Sequence, residues 1–428
     1  MKVKKLVATV AVFGAGFAAF STGSTVQAEP VSNSYVVVGS DTIEDVLNAL
    51  ANGTAITGST VRVTQNGATL GSFDATGSPS IITRPGGVRF SRPNGSGEGY
   101  RALSASIYEG ATASNNLFNS STYQVIGGTN VTGTTAGYTS ATYLPAGIRN
   151  INIYGQVDIA RSSSLSPVSS TESVSTDPLA TIVRVPFGRD AIALAFAPTL
   201  ASAVCAAGND SDAGAGCTPY LTVAQLKAVF EGATTQNING TDVAIQGVIP
   251  QTGSGTRKDF ETFTGVSTNL LGTAVTNGVV AVSQEHDATA LTGNQVAPMS
   301  ASRWIAMSNK ASFDKSGSAI IGSAYTATTL GVSPVLGAAG SMTPNPAYYA
   351  DTTWGRDTFL FVEKARVTPG DVKYDANLAA LVDPSLNKLA NVETTGASKA
   401  GKVKALFGLL APTTTALGYF KPAYSGAK

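Results

Sequence analysis

The sequence predicts an α/β protein of mixed, mostly parallel sheets flanked by helices, and three observations carry that prediction. Short runs rich in β-branched residues alternate along the 428-residue chain with segments whose apolar positions recur at helical spacing. Residues 182–187 and 191–196 are largely apolar, as expected of strands covered on both faces. Small turns rich in glycine and hydroxyl residues recur where predicted strands end, and in open α/β sheets that is where ligands bind.

Taken in order, residues 35–38 read as a short strand followed by Gly39-Ser40-Asp41-Thr42. Ile43, Val46, Leu47 and Leu50 then fall at i, i+3, i+4 and i+7, the mark of an amphipathic helix. Asp41 with Glu44 gives that helix a capping signature, and Gly53 lies just past its end. Residues 61–73 read as a strand or hairpin broken at Asn66-Gly67. A third strand, residues 88–90, leads through Arg92-Pro93-Asn94-Gly95-Ser96-Gly97 to a helical stripe of Tyr100, Leu103 and Ile107. Residues 112–143, rich in Ser, Thr, Gly and Asn, read as an insertion of short strands and loops. Residues 151–159 alternate as a strand and lead to Ala160-Arg161-Ser162-Ser163-Ser164, with a Ser/Thr linker at 166–176.

In the second half, Thr222 caps a helix carrying Leu226, Val229 and Phe230 that stops at Gly232. The apolar run 243–249 is the strand before Gly253-Ser254-Gly255-Thr256-Arg257; Phe260 and Phe263 then fall at helical spacing, and Gly265 is the stop. Residues 300–307 read as a helix, 358–362 as a strand, 378–410 as two helices, and Gly418-Tyr419-Phe420-Lys421-Pro422 closes the fold.

Composition narrows the function classes. The chain is 43% hydrophobic and 13% charged, with 46 glycines, which is globular rather than disordered. Residues 1–28 have the basic start, apolar run and Val26-Gln27-Ala28 site of a cleaved secretory signal without a lipid-attachment cysteine. Losing Lys2, Lys4 and Lys5 takes the formal charge from +1 to −2, and neither value suits a nucleic-acid partner held by bulk charge. Beyond residue 28 no segment approaches the roughly 18–20 apolar residues needed to cross a bilayer. Cys205 and Cys217 flank a small polar loop; in a secreted protein they read as a disulfide, and a metal site lacks further ligands.

The turn at residues 253–257 carries the chemistry. A helix start presents unpaired backbone N–H groups at the positive end of its dipole, and two glycines let an anion reach them. Two hydroxyls and a guanidinium can complete an anion's hydrogen bonding. The plainer alternative is an ordinary capped helix, since Thr256 and Asp259 have capping-box spacing. Four such polar turns from distant parts of the chain favour a cradle for a small oxyanion.

In their order, Gly39-Ser40-Asp41-Thr42, Gly95-Ser96-Gly97, Asp158-Ile159-Ala160-Arg161-Ser162-Ser163 and Gly253-Ser254-Gly255-Thr256 resemble the phosphate-binding proteins that feed bacterial ABC importers. Arg189-Asp190-Ala191-Ile192-Ala193, the Leu221-to-Gly232 helix and Gly418-Tyr419-Phe420 resemble further motifs of that family. The resemblance implies a two-lobed, type II periplasmic-binding-protein fold with phosphate in the cleft. It places lobe one at residues 29–183 plus 363–428 and lobe two at 184–362. It implies ligand contacts from Ser40, Asp41 and Thr42, from Gly95, Ser96 and Gly97, from Ser162, and from Ser254, Gly255 and Thr256. It also implies an ABC permease as partner, a monomer, no cofactor and no metal.

Two positions depart from the family pattern. Pro250 stands where the family carries an arginine, so Arg257 or Arg161 is the candidate cation. Ser163 stands where the family carries a carboxylate that accepts a hydrogen bond from an anion still bearing a proton, and Asp41 is the candidate replacement. A site made only of donors loses selectivity between phosphate and sulfate worth about 1–3 kcal/mol.

Two other readings stay open. His286, the sole histidine, lies in Gln284-Glu285-His286-Asp287 and suggests acid–base work in a secreted phosphatase; a hydrogen-bonded or surface histidine is the plainer account. An adhesion protein that keeps the binding fold is the other, with Tyr348, Tyr349 and Trp354 either facing a partner or packed in the core or cleft rim.

Overall fold

A computed structural model describes residues 35–56, 59–61, 70–109, 118, 122–124, 130–132, 151–165, 172–211, 216–326 and 332–423. The signal sequence, the Asn66-Gly67 hairpin and most of the 112–143 insertion lie outside the described residues. The elements that carry the argument are β1 (Tyr35–Gly39), α1 (Glu44–Asn52), α2 (Ser96–Ser106), β2 (Ile159–Ser162), β3 (Ile182–Phe196), β4 (Gln246–Pro250), α3 (Gly255–Thr264), β5 (Gln295–Ser300), α4 (Ala301–Ser308) and β6 (Gly355–Glu363).

One sheet path links them in the order Ala281–Ser283, β4, β5, β3, β6, β2, β1, Leu70–Ser72. Pairing is parallel on both flanks: β1 with β2 and with Leu70–Ser72, and β4 with β5 and with Ala281–Ser283. Around β3 it is antiparallel, first to β6 and then to β5. The two apolar runs that read as separate strands are one continuous β3, with a register shift between Pro186 and Gly188.

Period-two alternation sorts these strands onto two buried faces. Val37, Ile159, Leu360 and Val362 pack with Val46, Leu47 and Leu50 of α1 and with the helices Ala376–Leu381 and Lys399–Leu406. Val36, Val38, Ala160, Phe359 and Phe361 pack on the other face with Tyr100 and Leu103 of α2. Val183, Val185 and Phe187 of β3 share the first of these clusters. From Ala191 on, the same strand packs with Leu226, Phe230, Ile249, Phe260 and Trp354 in a separate cluster. The core therefore changes over at residues 188–190 on β3 and 354–356 at the start of β6. Tyr348, Tyr349 and Trp354 are fully buried, which is the core alternative for all three.

Several local expectations need correction. Residues 151–158 are not a continuous strand: Ile151 makes an isolated bridge to Phe118, the chain turns at Gly155, whose N–H donates to Ser106 O, and the sheet strand starts at Ile159. The run 243–249 is divided between a hairpin strand, Thr241–Ala244, and β4. Helix α1 begins at Glu44, after Ile43, without a side-chain cap; Glu44 instead accepts the Ala75 N–H, and Asp41 accepts the Gln284 amide. At α3 the cap is Ser254, whose Oγ accepts the Arg257 N–H, not a Thr256–Asp259 box. The Thr222 cap with Gln225 and the left-handed stop at Gly265 are as expected. Cys205 and Cys217 form a disulfide, Cα atoms 6.0 Å apart. No helix among the described residues is long and apolar enough to cross a membrane.

Helix α2 lies backbone to backbone on the end of β1. A Cβ on Gly99 would stand 2.5 Å from Gly39 Cα and 3.1 Å from Val38 O. Gly99→Ala is expected to cost about 1–3 kcal/mol by pushing α2 off the strand. The readout is a lower urea midpoint at unchanged slope; an unchanged midpoint contradicts this close approach.

Candidate anion site

Because β1 and β2 are parallel neighbours, the turns that follow them start side by side. The Ser40 N–H bonds Arg161 O at 3.1 Å, and Ser40 Oγ donates to Ser163 Oγ at 3.3 Å. Helix α2 starts at the same point: Ser96 Oγ lies 3.3 Å from Ser163 Oγ and accepts the Ser163 N–H at 3.1 Å. The start of α3 closes the group, since a Cβ on Gly255 would overlap Ser96 Oγ and Ser163 Oγ together. Three of the four turns thus meet as hydroxyls, two of them, Ser96 and Ser163, against Gly255 at the N-terminus of α3. Within them the roles shift. Ser163 Oγ, not Ser162 Oγ, joins the cluster; Ser162 closes its own turn by bonding Ser164. Gly95 takes φ +101°, and the Gly97 N–H donates to Gly253 O at 3.1 Å, tying the second turn to the fourth.

Neither candidate arginine faces this cluster. Arg161 is fully buried and turned back, donating to Ser40 O, Gly39 O, Phe73 O and Ser72 Oγ. It fastens the first turn. Arg257 bonds Glu261 one turn along its own helix and Pro250 O at the end of β4. The cation at the site is Arg356, at the start of β6, which the sequence reading passed over. Its Nη2 donates to Thr256 Oγ1 at 2.7 Å, to Asp190 Oδ2 at 3.0 Å and to Thr42 Oγ1 at 3.4 Å; its Nη1 reaches Asp259 Oδ2 at 3.3 Å. Asp190 also accepts the Ser300 hydroxyl and the Ser302 N–H at the start of α4. The only sequence signal for Arg356 was a charge at the mouth of an apolar strand.

Glu285 and His286 complete the site from the loop before β5. His286 is a buried, hydrogen-bonded histidine. Its Nδ1 accepts the Ser300 N–H at 3.3 Å, which leaves the proton on Nε2, 2.9 Å from Thr42 Oγ1 and 3.2 Å from Glu285 Oε1. Burial lowers its pKa against the pull of Glu285, so the imidazole is neutral at pH 7. Glu285 Oε1 accepts the Thr42 hydroxyl and the Thr256 N–H, each at 3.4 Å. Burial opposes the charge of Glu285, but the hydrogen bonds from neutral His286 and from Thr256 and the charge of Arg356 hold it ionised. Asp41 is different: burial, then Glu285 and Glu44, push its carboxyl well up, while its Oδ2 accepts the Gln284 amide at 2.5 Å. Asn94 links this edge, donating to Gln284 and accepting from Gln251. Among the described residues no group of His, Cys, Asp and Glu is placed to hold a metal ion.

Asp259 bonds Ser164 as well as Arg356, and burial raises it to about 6 against both. Its folded pKa exceeds the unfolded one, so the folded state holds this proton more tightly. Its contribution to stability is full below 3.8 and is lost as pH rises through about 6. Asp259→Asn is expected to flatten this part of the stability–pH curve. Unfolding curves that keep the wild-type slope between those values contradict the assignment.

Comparison with known proteins places the chain. A family profile described as PBP superfamily domain matches residues 92–360, more than half of the sequence. No curated protein matches the chain. Among solved structures, a Clostridium perfringens protein assigned as a phosphate ABC transporter substrate-binding protein, with bound phosphate, aligns at 13% identity and TM-score 0.44, covering 89% of this chain and 99% of its own. An ABC-type phosphate transport receptor from Vibrio cholerae aligns at 18% identity and TM-score 0.33, covering 60% of this chain and 81% of its own. The matched region contains Ser96, Ser163, Thr256, Glu285 and Arg356, and on that profile the chain belongs to the PBP superfamily.

Proposed function

We propose that the protein is a secreted, non-catalytic binding protein that captures inorganic phosphate, or a similar tetrahedral oxyanion, between two lobes and hands it to an ABC permease. The observation that carries this reading is the meeting of Ser40, Ser96 and Ser163 hydroxyls with the start of α3 beside a buried guanidinium. Such a group offers hydroxyl and backbone donors on several sides, with two helix dipoles directed at one point. On this reading Ser163 and Thr256 are ligand contacts, and Arg356 replaces Arg161 and Arg257 as the cation.

The lobes are the two core bodies, and β3 and the approach to β6 are the crossing segments. Closure is a hinge motion at residues 188–190 and 354–356, and ligand contacts from both bodies favour the closed form. The protein works as a monomer. Binding needs no acid–base chemistry, and His286 serves as a neutral hydrogen-bond donor that orders Glu285 and Thr42.

Calorimetric titration of the purified protein with phosphate tests the reading. Thr256→Val and Ser163→Ala are each expected to weaken phosphate by about ten- to hundredfold while leaving the thermal transition cooperative. Wild-type affinity in both variants removes the site assignment. Absence of binding by the wild type itself removes the function and favours the adhesion reading.

A further inference from the structure

The two core bodies also meet beside the anion site. Asp45, in the first turn of α1, forms an ion pair with Arg303, in the first turn of α4. The two helices belong to different cores. Val46, Leu47 and Leu50 of α1 pack with β1 and β2, whereas Ala301 and Ile305 of α4 pack in the cluster that β3 enters from Ala191 on. Ala306 of α4 reaches the first cluster, so the helix lies along the boundary. The Arg303 and Asp45 side chains are 7% and 18% exposed, which is not a solvated surface pair. Burial opposes the charge of Arg303, but Asp45 and then Glu44 hold its pKa above the ordinary value. A cation in the first turn of a helix opposes the dipole, so Arg303 does not stand there to stabilise α4. Its partner lies on the other core. Asp45 and Arg303 each stand three positions beyond a group that reaches the site. Thr42 meets Glu285, His286 and Arg356, and Ser300 bonds His286 and Asp190. Among the described residues neither Asp45 nor Arg303 bonds the hydroxyls of Ser40, Ser96 or Ser163.

We propose that Asp45 and Arg303 form a clasp between the two lobes that sets how long a captured anion is held, without touching the anion; this rests on the two-lobed capture proposed above. Separating the lobes returns both charges to water, and closing them buries both. A buried pair gains little over its hydrated partners while both charges are present, but a buried charge without its partner is strongly unfavourable. Closure is therefore accessible to a chain that carries the pair and penalised in a chain that carries one member of it. The clasp forms only as the lobes come together, so it acts on release of the ligand and not on its first encounter with the open cleft. It is joined to the site through Thr42 on one side and Ser300 on the other, whose Oγ accepts the Arg303 N–H at 3.0 Å.

The test follows release of radiolabelled phosphate into an excess of unlabelled phosphate from wild type, Asp45→Asn, Arg303→Met and the double variant. Each single variant is expected to release phosphate about tenfold faster or more, with association within about twofold of wild type. The double variant, which leaves no charge unpaired, releases more slowly than the two single effects multiplied together. Unchanged release in Asp45→Asn overturns the proposal, as does a loss of affinity carried by association. Slower release in Asp45→Asn also overturns it, because it assigns Arg303 to the anion itself. Multiplying effects in the double variant do the same. Should Arg303→Met fail to fold, release from Asp45→Asn against wild type decides. If the wild type binds no phosphate, small-angle scattering of the free proteins decides. A larger radius of gyration for Asp45→Asn than for wild type then keeps the clasp and removes anion capture, and equal radii remove both.

Discussion

The guanidinium of Arg356 is where the separate parts of the molecule are joined. It is buried at the point where β3 leaves one core and enters the other, and it bonds Asp190 on β3, Asp259 and Thr256 on α3, and Thr42 beyond β1. Two carboxylates and two hydroxyls share one fork of donors, so none of these groups is buried without compensation. Removing one member of such a group leaves uncompensated charge and costs about 3–5 kcal/mol. The same fork lies beside the proposed hinge, and this couples the arrangement of the turns to the relative placement of the two cores.

The site is not a pool of positive charge. Asp190, Asp259 and Glu285 surround a single arginine, and His286 is neutral. What favours an anion here is local. The starts of α2 and α3 aim backbone N–H groups and dipoles at one place, and the Ser96 and Ser163 hydroxyls stand against Gly255 with Ser40 bonded to Ser163. Dipoles fixed by the fold need no reorganisation when the ligand arrives. The carboxylates of Asp190 and Asp259 keep the arginine in place.

Much of this was legible in the sequence, and the limits are instructive. Buried strands and amphipathic helices follow from periodicity, and the helices at 223–230, 255–264 and 301–308 fall within a few residues of expectation. The polar turns were recognisable because glycine and hydroxyl residues at strand ends have few other uses. Periodicity cannot tell a strand from a turn that happens to alternate, as at residues 151–158, nor one long strand from two when Arg184, Gly188 and Arg189 interrupt the apolar run. Capping pairs at Asp41–Glu44 and Thr256–Asp259 failed for one reason. The tertiary partners Gln284, Ala75, Ser164 and Arg356 compete for the same carboxylates and win. Arg161 and Arg257 were chosen by nearness in sequence, whereas the cation that reaches the turns comes from a hundred residues further along the chain, a relation that only the fold reveals.

The most direct measurement of the central claim is a crystal structure grown with arsenate, an electron-dense relative of phosphate. The account predicts one tetrahedral anion within hydrogen-bond distance of Ser163 Oγ, the Thr256 backbone N–H and Arg356. Density for the anion anywhere else, with those groups unchanged and bonded only to one another, contradicts it.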